Sequence, residues 1–432
     1  MKVGFVSLGC CKNLVDSEMI MGMLRENGHQ LVAEPRQADA IIINTCGFIE
    51  PAKEESINTI FEMAQYHKKL IVCGCLAQRY TDVLKEEIPE IDAIIPIRDY
   101  KDLAERLKEV LNDEGKGSFG KSERVLTGNP WQGYIKISDG CSNRCAYCAI
   151  PLIRGDQKSR PIEDIIEEAK YMASIGVKEL TLIAQDTTKY GLDNYGSLKL
   201  ADLIRAVDQV EGLHWIRILY MYPDEIEEEV LMAMKESKKV LPYFDIPMQH
   251  ANDRLLKRMN RRGTKEDVLQ LVDKIHSMFE NPTLRTTMIV GFPTETEEEF
   301  KELIDFIKEV KWDRMGAFTY SKEEDTPAYA EVDEIDPVVQ EDRLARLMAV
   351  QKEISLARNQ AKIGQVIEVL VEEKEALNNK YRGRSSADAP DEVDGQVIFT
   401  CDEDLELGTF VQVEIQEASA YDLIGTWKES KA

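Results

Sequence analysis

One pattern restricts this chain more than any other. Short apolar runs alternate with amphipathic stretches from the first residues to a long charged segment ending near Lys362. A chain of this texture buries its apolar runs as parallel strands and covers them with helices. In the N-terminal part, Val3–Leu8, Ala40–Asn44 and Leu70–Val72 read as strands, and Asp16–Asn27 and Glu54–His67 as helices. The glycines and mixed charges of Asn112–Ser122 read as a linker. A second series has strands at Tyr134–Ser138, Glu179–Ala184, Trp215–Leu219, Tyr243–Ile246, Leu284–Val290 and Met315–Tyr320. Helices such as Ile162–Ser174, Glu225–Lys235, Lys265–Met278 and Glu297–Glu309 fall between them, and Thr294 with Glu297 has the spacing of a capping box. Six such units are fewer than the eight of a closed barrel, so an open, partial (βα)6 barrel is expected. A charged helix over Pro337–Lys362 would close it.

From residue 363 the texture changes to short alternating runs separated by turn residues: Val366–Val371, Lys380–Arg384, Gly395–Phe399, Phe410–Ile415 and Asp422–Trp427. These predict a small antiparallel β-barrel. The expected class is therefore α/β in three domains: a parallel-sheet domain over 1–112, a partial barrel over 127–358 and a small β-barrel over 360–430.

Charge and hydropathy remove several functions. With 54 Lys plus Arg against 79 Asp plus Glu, the formal charge is −25. Such a surface does not track nucleic-acid phosphates along its whole extent, because that binding needs cations; it suits a soluble protein or a basic partner. No apolar run approaches the roughly 20 residues of a bilayer-spanning helix. The opening residues Met1–Leu8 enter a strand pattern without a basic leader. A cytoplasmic protein with no membrane partner is expected.

The nine cysteines stand at 10, 11, 46, 73, 75, 141, 145, 148 and 401, too few for a disulfide scaffold and strongly clustered. Clustered thiols in a reducing compartment point to metal or redox chemistry, and the five histidines show no zinc-site spacing. Cys141, Cys145 and Cys148 form a CxxxCxxC loop just after the first strand of the second series. Three thiolates so placed can hold one inorganic cluster and leave a fourth iron open to a small chelating molecule. The alternatives are three incidental buried cysteines or a zinc knuckle, which favours paired CxxC elements and a fourth ligand. Cys10, Cys46 and Cys75 each follow a predicted strand, where ligands gather in an open parallel sheet, and each has a small residue beside it. The alternative there is three small buried apolar residues. Cys73 lies within a strand and reads as core; Cys401 reads as an ordinary residue.

The CxxxCxxC loop, with Tyr147 before its last cysteine and its place after the first barrel strand, resembles that of the radical S-adenosylmethionine superfamily. The string from Ser7 to Glu18 resembles the opening of the methylthiotransferases, and the likeness runs over nearly the whole chain, ending in a TRAM-like barrel. It implies two 4Fe–4S clusters, one on Cys10, Cys46 and Cys75 and one on Cys141, Cys145 and Cys148. It also implies S-adenosylmethionine as methyl donor and as source of a 5′-deoxyadenosyl radical. Cys11 departs from the family, where proline is expected, and is read as a non-ligand. Tyr147, Gln185 and Gly291 are the residues the resemblance puts near S-adenosylmethionine, with Asp186 a further candidate. A polar turn capped by Asp186, and a tight turn at Gly291, are the plainer readings. Arg160 would meet a carboxylate or pair with Glu163, and Arg258, Arg261 and Arg262 form a basic patch that reads as a solvated helix end, with substrate binding as the alternative. No catalytic residue is assigned.

Two substrates fit: an adenosine of transfer RNA or a protein side chain. From 360 to 432 there are seven Lys or Arg against sixteen Asp or Glu, a net of −9, which should repel RNA and attract a basic protein. The segment Gly383–Gly395, with Asp388, Asp391 and Asp394, resembles that of the branch that methylthiolates an aspartate of small-subunit ribosomal protein twelve. These aspartates are expected to lie where the partner docks. The resemblance thus implies that ribosomal protein or its subunit as substrate, an electron donor and a sulfur source as partners, and no direct nucleic-acid readout. A transfer RNA methylthiotransferase, and more distantly a non-catalytic iron–sulfur or zinc carrier, remain as alternatives.

Overall fold

A computed structural model describes residues 1–112, 124–375, 379–391 and 393–429, so the expected linker lies almost wholly outside the described residues. The chain divides into two compact units: Met1–Gly128 with Ser138–Lys158 and Ser321–Ala330, and Asn129–Ile137 with Ser159–Tyr320 and Glu331–Ala432.

The first unit is built on strands β1 (Lys2–Ser7), β2 (Gln30–Val32), β3 (Ala40–Thr45), β4 (Lys69–Gly74) and β5 (Ala93–Pro96), in the order β2-β1-β3-β4-β5. All four pairings are parallel. The central strand β3 is buried along its whole length, as a strand with helices on both faces must be. Its successive residues serve two cores: Ile42 packs with Val3, Leu24 and Leu107, whereas Ile41 and Ile43 pack with Ile60, Val72 and Leu76. The edge strands β2 and β5 have no counterpart in the sequence reading, because three or four residues carry too little alternation. Helix α1 (Cys11–Glu26) starts five residues earlier than its periodicity suggests, on an N-cap, Cys10, whose side chain makes no capping bond. Helix α2 (Glu50–Ala64) also starts early, with a proline in its first turn.

The second unit carries six parallel barrel strands in two runs. Gln132–Lys136, Glu179–Ile183 and Trp215–Ile218 pair in order, and Tyr243–Asp245, Thr283–Val290 and Arg314–Thr319 do the same. A bridge between Ile216 and Val240 joins the runs. Helix Glu297–Val310 is capped by Thr296 and Glu299, not by Thr294 and Glu297. The same spacing occurs twice there, and Thr294 instead takes a positive φ of 70° and accepts a bond from Arg254. The long helix spans Pro337–Gln360.

The last five strands, Val366–Lys374, Lys380–Ser385, Val397–Thr400, Phe410–Ala418 and Leu423–Lys428, form a closed barrel. Four pairings are antiparallel, and Val397–Thr400 with Leu423–Lys428 is parallel. A ring of five strands cannot alternate direction all the way round, so closure itself demands one parallel pair.

Within this unit the segment after Lys380–Ser385 is fastened to the amino ends of the barrel strands. Arg384 pairs with Glu179 at 2.6 Å and Glu372 at 2.8 Å, and Glu179 also accepts from Arg217 at 2.9 Å. Asp388 pairs with Arg314 at 2.6 Å, Asp394 accepts from Tyr243 at 2.6 Å, and Asp391 accepts from Tyr134. Asp388 and the Asp394 side chain are buried. This corrects one expectation. Two of the three aspartates expected to meet a basic partner, Asp388 and Asp394, are spent inside the protein at the barrel end whose residues serve stability, and Asp391 stays exposed with Tyr134 as its donor.

Candidate functional site

Cys10, Cys46 and Cys75 follow β1, β3 and β4, which are neighbours in the sheet, at and beside the place where the strand order reverses. That is where a doubly wound sheet opens a crevice at its carboxyl edge. Parallel pairing thus brings together thiols 36 and 29 residues apart in the chain. Two glycines keep the space. Gly9 takes φ +87°, and a Cβ there would stand 2.9 Å from Cys46 Cβ and 3.1 Å from its Sγ. Gly74 takes φ +94°, and a Cβ there would stand 2.2 Å from Asn44 Oδ1.

Asn13, on the first turn of α1, is the common support. Its Nδ2 donates to the carbonyls of Leu8 and Thr45, at 3.1 and 3.0 Å, just upstream of Cys10 and Cys46. Its Oδ1 accepts from the Cys75 thiol at 3.4 Å and from Arg154 Nη2 at 2.8 Å. Burial raises the Cys46 thiol pKa and pushes that of Cys75 up to about 12, against the pull of Arg154. The neighbouring thiols raise both further, so ligation must expel protons.

The CxxxCxxC loop belongs to the same compact unit. Gly140, at φ +77°, and the bond from Cys141 N to Gly155 O at 3.0 Å close its base. Cys145 is buried, Cys141 and Cys148 are partly exposed, and Tyr147 is half-buried. Helix Ile150–Arg154 follows, and its Ile153 packs with Ala149 and Cys75. Arg154, 2% exposed, ends that helix bound to Asp16 at 2.9 Å and Asp139 at 3.0 Å. A second clasp comes from Ser321–Ala330. Glu323 pairs with Lys53 at 3.2 Å and Arg79 at 2.6 Å, and Ala328 N donates to Ala146 O, between Cys145 and Cys148, at 2.8 Å. Neither Arg154 nor Glu323 stood out in the sequence, since neither belongs to a motif and buried pairing is invisible there.

Among the described residues no three His, Cys, Asp or Glu side chains are grouped to hold one metal ion. A zinc site brings its ligands to a single centre, whereas a 4Fe–4S cluster presents several irons to spaced thiolates. Two sets of three thiols, one with glycine-kept space, have the donor chemistry that 4Fe–4S clusters use. Cys11 starts α1, and Cys73 is fully buried in β4 among the core residues.

In the second unit Gln185 lies just past strand Glu179–Ile183 and is half-buried. Asp186 caps the turn: its Oδ1 accepts from Thr188 N at 3.0 Å and from the Thr188 hydroxyl. Gly291 turns at φ +72°, and a Cβ there would stand 2.4 Å from Gln340 Cγ, so the room it leaves is filled by the long helix. Arg160 pairs with Glu168 at 2.6 Å and not with Glu163. The basic patch is solvated only in part, with Arg262 half exposed. Arg258 pairs with Glu331, Arg262 with Asp224 and Glu225, and Arg261 is buried over the Tyr222 ring, 4.0 Å from its centre.

Three family models match successive parts of the chain. Residues 2–96 match an uncharacterized protein family, UPF0004, residues 135–307 the radical SAM superfamily, and residues 363–427 the TRAM domain. Relatives named ribosomal protein uS12 methylthiotransferase RimO include one from Acetivibrio thermocellus, 47% identical and covering 98% of both chains. Those from Clostridioides difficile and Desulforamulus reducens are 48% and 49% identical at the same coverage. The chain belongs to this methylthiotransferase family. It is accordingly a radical S-adenosylmethionine enzyme that uses iron–sulfur chemistry. A solved radical S-adenosylmethionine methyltransferase from Kitasatospora setae shares the fold at a TM-score of 0.59 and 12% identity, over 82% of this chain and 89% of that one. No helix among the described residues is long and apolar enough to cross a membrane.

Proposed function

We propose that this methylthiotransferase places a methylthio group on the β-carbon of an aspartate in small-subunit ribosomal protein uS12. The observation that carries the reading is likeness over 98% of the chain to enzymes bearing that name. Cys10, Cys46 and Cys75 hold one 4Fe–4S cluster, and Cys141, Cys145 and Cys148 the other. Tyr147, Gln185 and the Gly291 backbone contact S-adenosylmethionine. When bound, these groups supply the one-electron chemistry that activates a C–H bond and the methyl and sulfur that are transferred. The chain's own part is support. Asn13 fixes the backbones that carry Cys10 and Cys46, and Glu323 draws Ser321–Ala330 onto α2 and Arg79. The electron donor and sulfur source are separate molecules, and the reaction takes place in the cytoplasm on the basic ribosomal protein or its subunit.

Mass spectrometry of ribosomal proteins and transfer RNA, from cells with and without the gene, tests this. The increment of one methylthio group should vanish from an aspartate of uS12. If instead a methylthiolated adenosine vanishes and uS12 is unchanged, the substrate is transfer RNA.

A further inference from the structure

Arg154 is a buried cation aimed at a sulfur. Its side chain is 2% exposed, and Nη2 lies 3.7 Å from Cys75 Sγ, within reach of a hydrogen bond to sulfur. The same nitrogen binds Asn13 Oδ1 at 2.8 Å and Asp16 Oδ2 at 2.9 Å, and Nη1 binds Asp139 at 3.0 Å, so the guanidinium is fixed on two sides. Its backbone ends the helix that begins just past Cys148, and that helix packs on Cys75 through Ala149 and Ile153.

The thiol of Cys75 now donates to Asn13 Oδ1. As a metal ligand it would be a thiolate and could only accept. The donor already in place for it is Arg154. In a desolvated setting a fixed positive charge beside a ligand sulfur acts with little screening, and hydrogen bonds to the sulfurs are among the factors that set a cluster's potential.

We propose that Arg154 is a positioning residue whose guanidinium, held by Asp16 and Asp139, donates to the Cys75 thiolate and raises the reduction potential of the cluster on Cys10, Cys46 and Cys75. This rests on the reading of Cys75 as a cluster ligand. A cation there stabilises the added electron, and its removal makes reduction harder.

The test uses full-length protein with Cys141, Cys145 and Cys148 replaced by Ala, reconstituted anaerobically with iron and sulfide. Iron content and an EPR-monitored redox titration are the readouts. Arg154→Gln should keep its iron and lower the one-electron reduction constant about tenfold, ~59 mV to more negative potential. Arg154→Lys, which keeps the charge, should return most of that shift. Asp139→Asn, at a position one-third exposed, should move the potential the other way by freeing the guanidinium from one neutralising partner. An iron-loaded Arg154→Gln protein with unchanged potential overturns the proposal. Should that variant fail to fold, an unchanged potential in Asp139→Asn overturns it. Absence of iron in the parent variant overturns the reading of the triad instead, and the iron assay alone reveals it.

Discussion

Reversing Asp388 to Lys should unfold the barrel unit and leave no docking defect to measure. The carboxylate is 1% exposed and accepts from Arg314 at 2.6 Å, from Ser385 Oγ at 2.6 Å and from Ser385 N at 3.2 Å. Burial alone would push this carboxyl up, but Arg314, Lys362 and the Ser385 hydroxyl override it and hold it below the ordinary carboxylate value. Arg314 is itself buried, with Asn359 Oδ1 at 3.3 Å as its other side-chain acceptor. Removing one member of such a pair strands the other charge and costs about 3–5 kcal/mol. That is a large share of the 5–15 kcal/mol that holds a typical protein folded. Lysine adds a second cation beside the first, so the cost exceeds that of Asp388→Ala. Thermal unfolding should start well below that of the unaltered protein, with reductive cleavage of S-adenosylmethionine and methylthiolation lost together. The pH dependence has a definite sign. A carboxyl whose folded pKa is depressed stabilises above its unfolded value, and that contribution is lost as the pH falls through the folded one. Asp388→Ala should therefore flatten the acid limb of the stability profile. Native melting and native cleavage in Asp388→Lys, with only methylthiolation reduced, would refute this reasoning and restore the segment as a docking surface.

Other outcomes follow from the first unit. Replacing either cysteine triad by Ala should remove half of the iron and sulfide taken up on reconstitution, by colorimetric assay; loss of all of it from one triad would mean a single site. With Cys10, Cys46 and Cys75 replaced, S-adenosylmethionine should still be cleaved to 5′-deoxyadenosine without methylthiolated product; product from that variant would make the triad structural. Glu323→Gln should cost about 3 kcal/mol, the low end for a broken buried pair, because Lys53 keeps Glu50 at 2.6 Å. Hydrogen exchange should then rise in Ser321–Ala330, and unchanged protection there would show that the clasp is idle.

Most of the architecture was legible because burial imposes periodicity. The six barrel strands appear within two residues of their expected limits and the five of the last barrel within three, Val366–Lys374 and Phe410–Ala418 each running three residues further. Charge was the less readable layer. The count of sixteen carboxylates against seven cations after residue 360 is correct, but a count is blind to pairing. Arg384 is taken by Glu179 and Glu372, Asp388 by Arg314, and Asp394 by Tyr243 and Arg285. Net charge is an argument about solubility and partners only for side chains that reach water. The basic patch was half legible: Arg262 is half exposed as a solvated end requires, but Arg261 is buried and its neighbours are paired.

The failure on helix α1 is of another kind, and it points at the site. Periodicity starts that helix only at Asp16, and Lys12, Asn13, Asp16, Ser17 and Glu18 offer no apolar stripe that would extend it. The structure starts it at Cys11 and buries all five of those polar residues. The partners of four of them account for their burial: Asn13 has the backbones before Cys10 and Cys46, Asp16 the guanidinium of Arg154, Ser17 the amide of Asn44, and Glu18 the guanidinium of Arg124. A hydrophobic face there would pack the helix as well, but it could not hold thiols and a guanidinium in fixed positions. Departure from the local rule is what a site built on the end of a sheet requires. In this chain the polar start of α1, set directly after the first cysteine, marks the site more specifically than the spacing of the three thiols does.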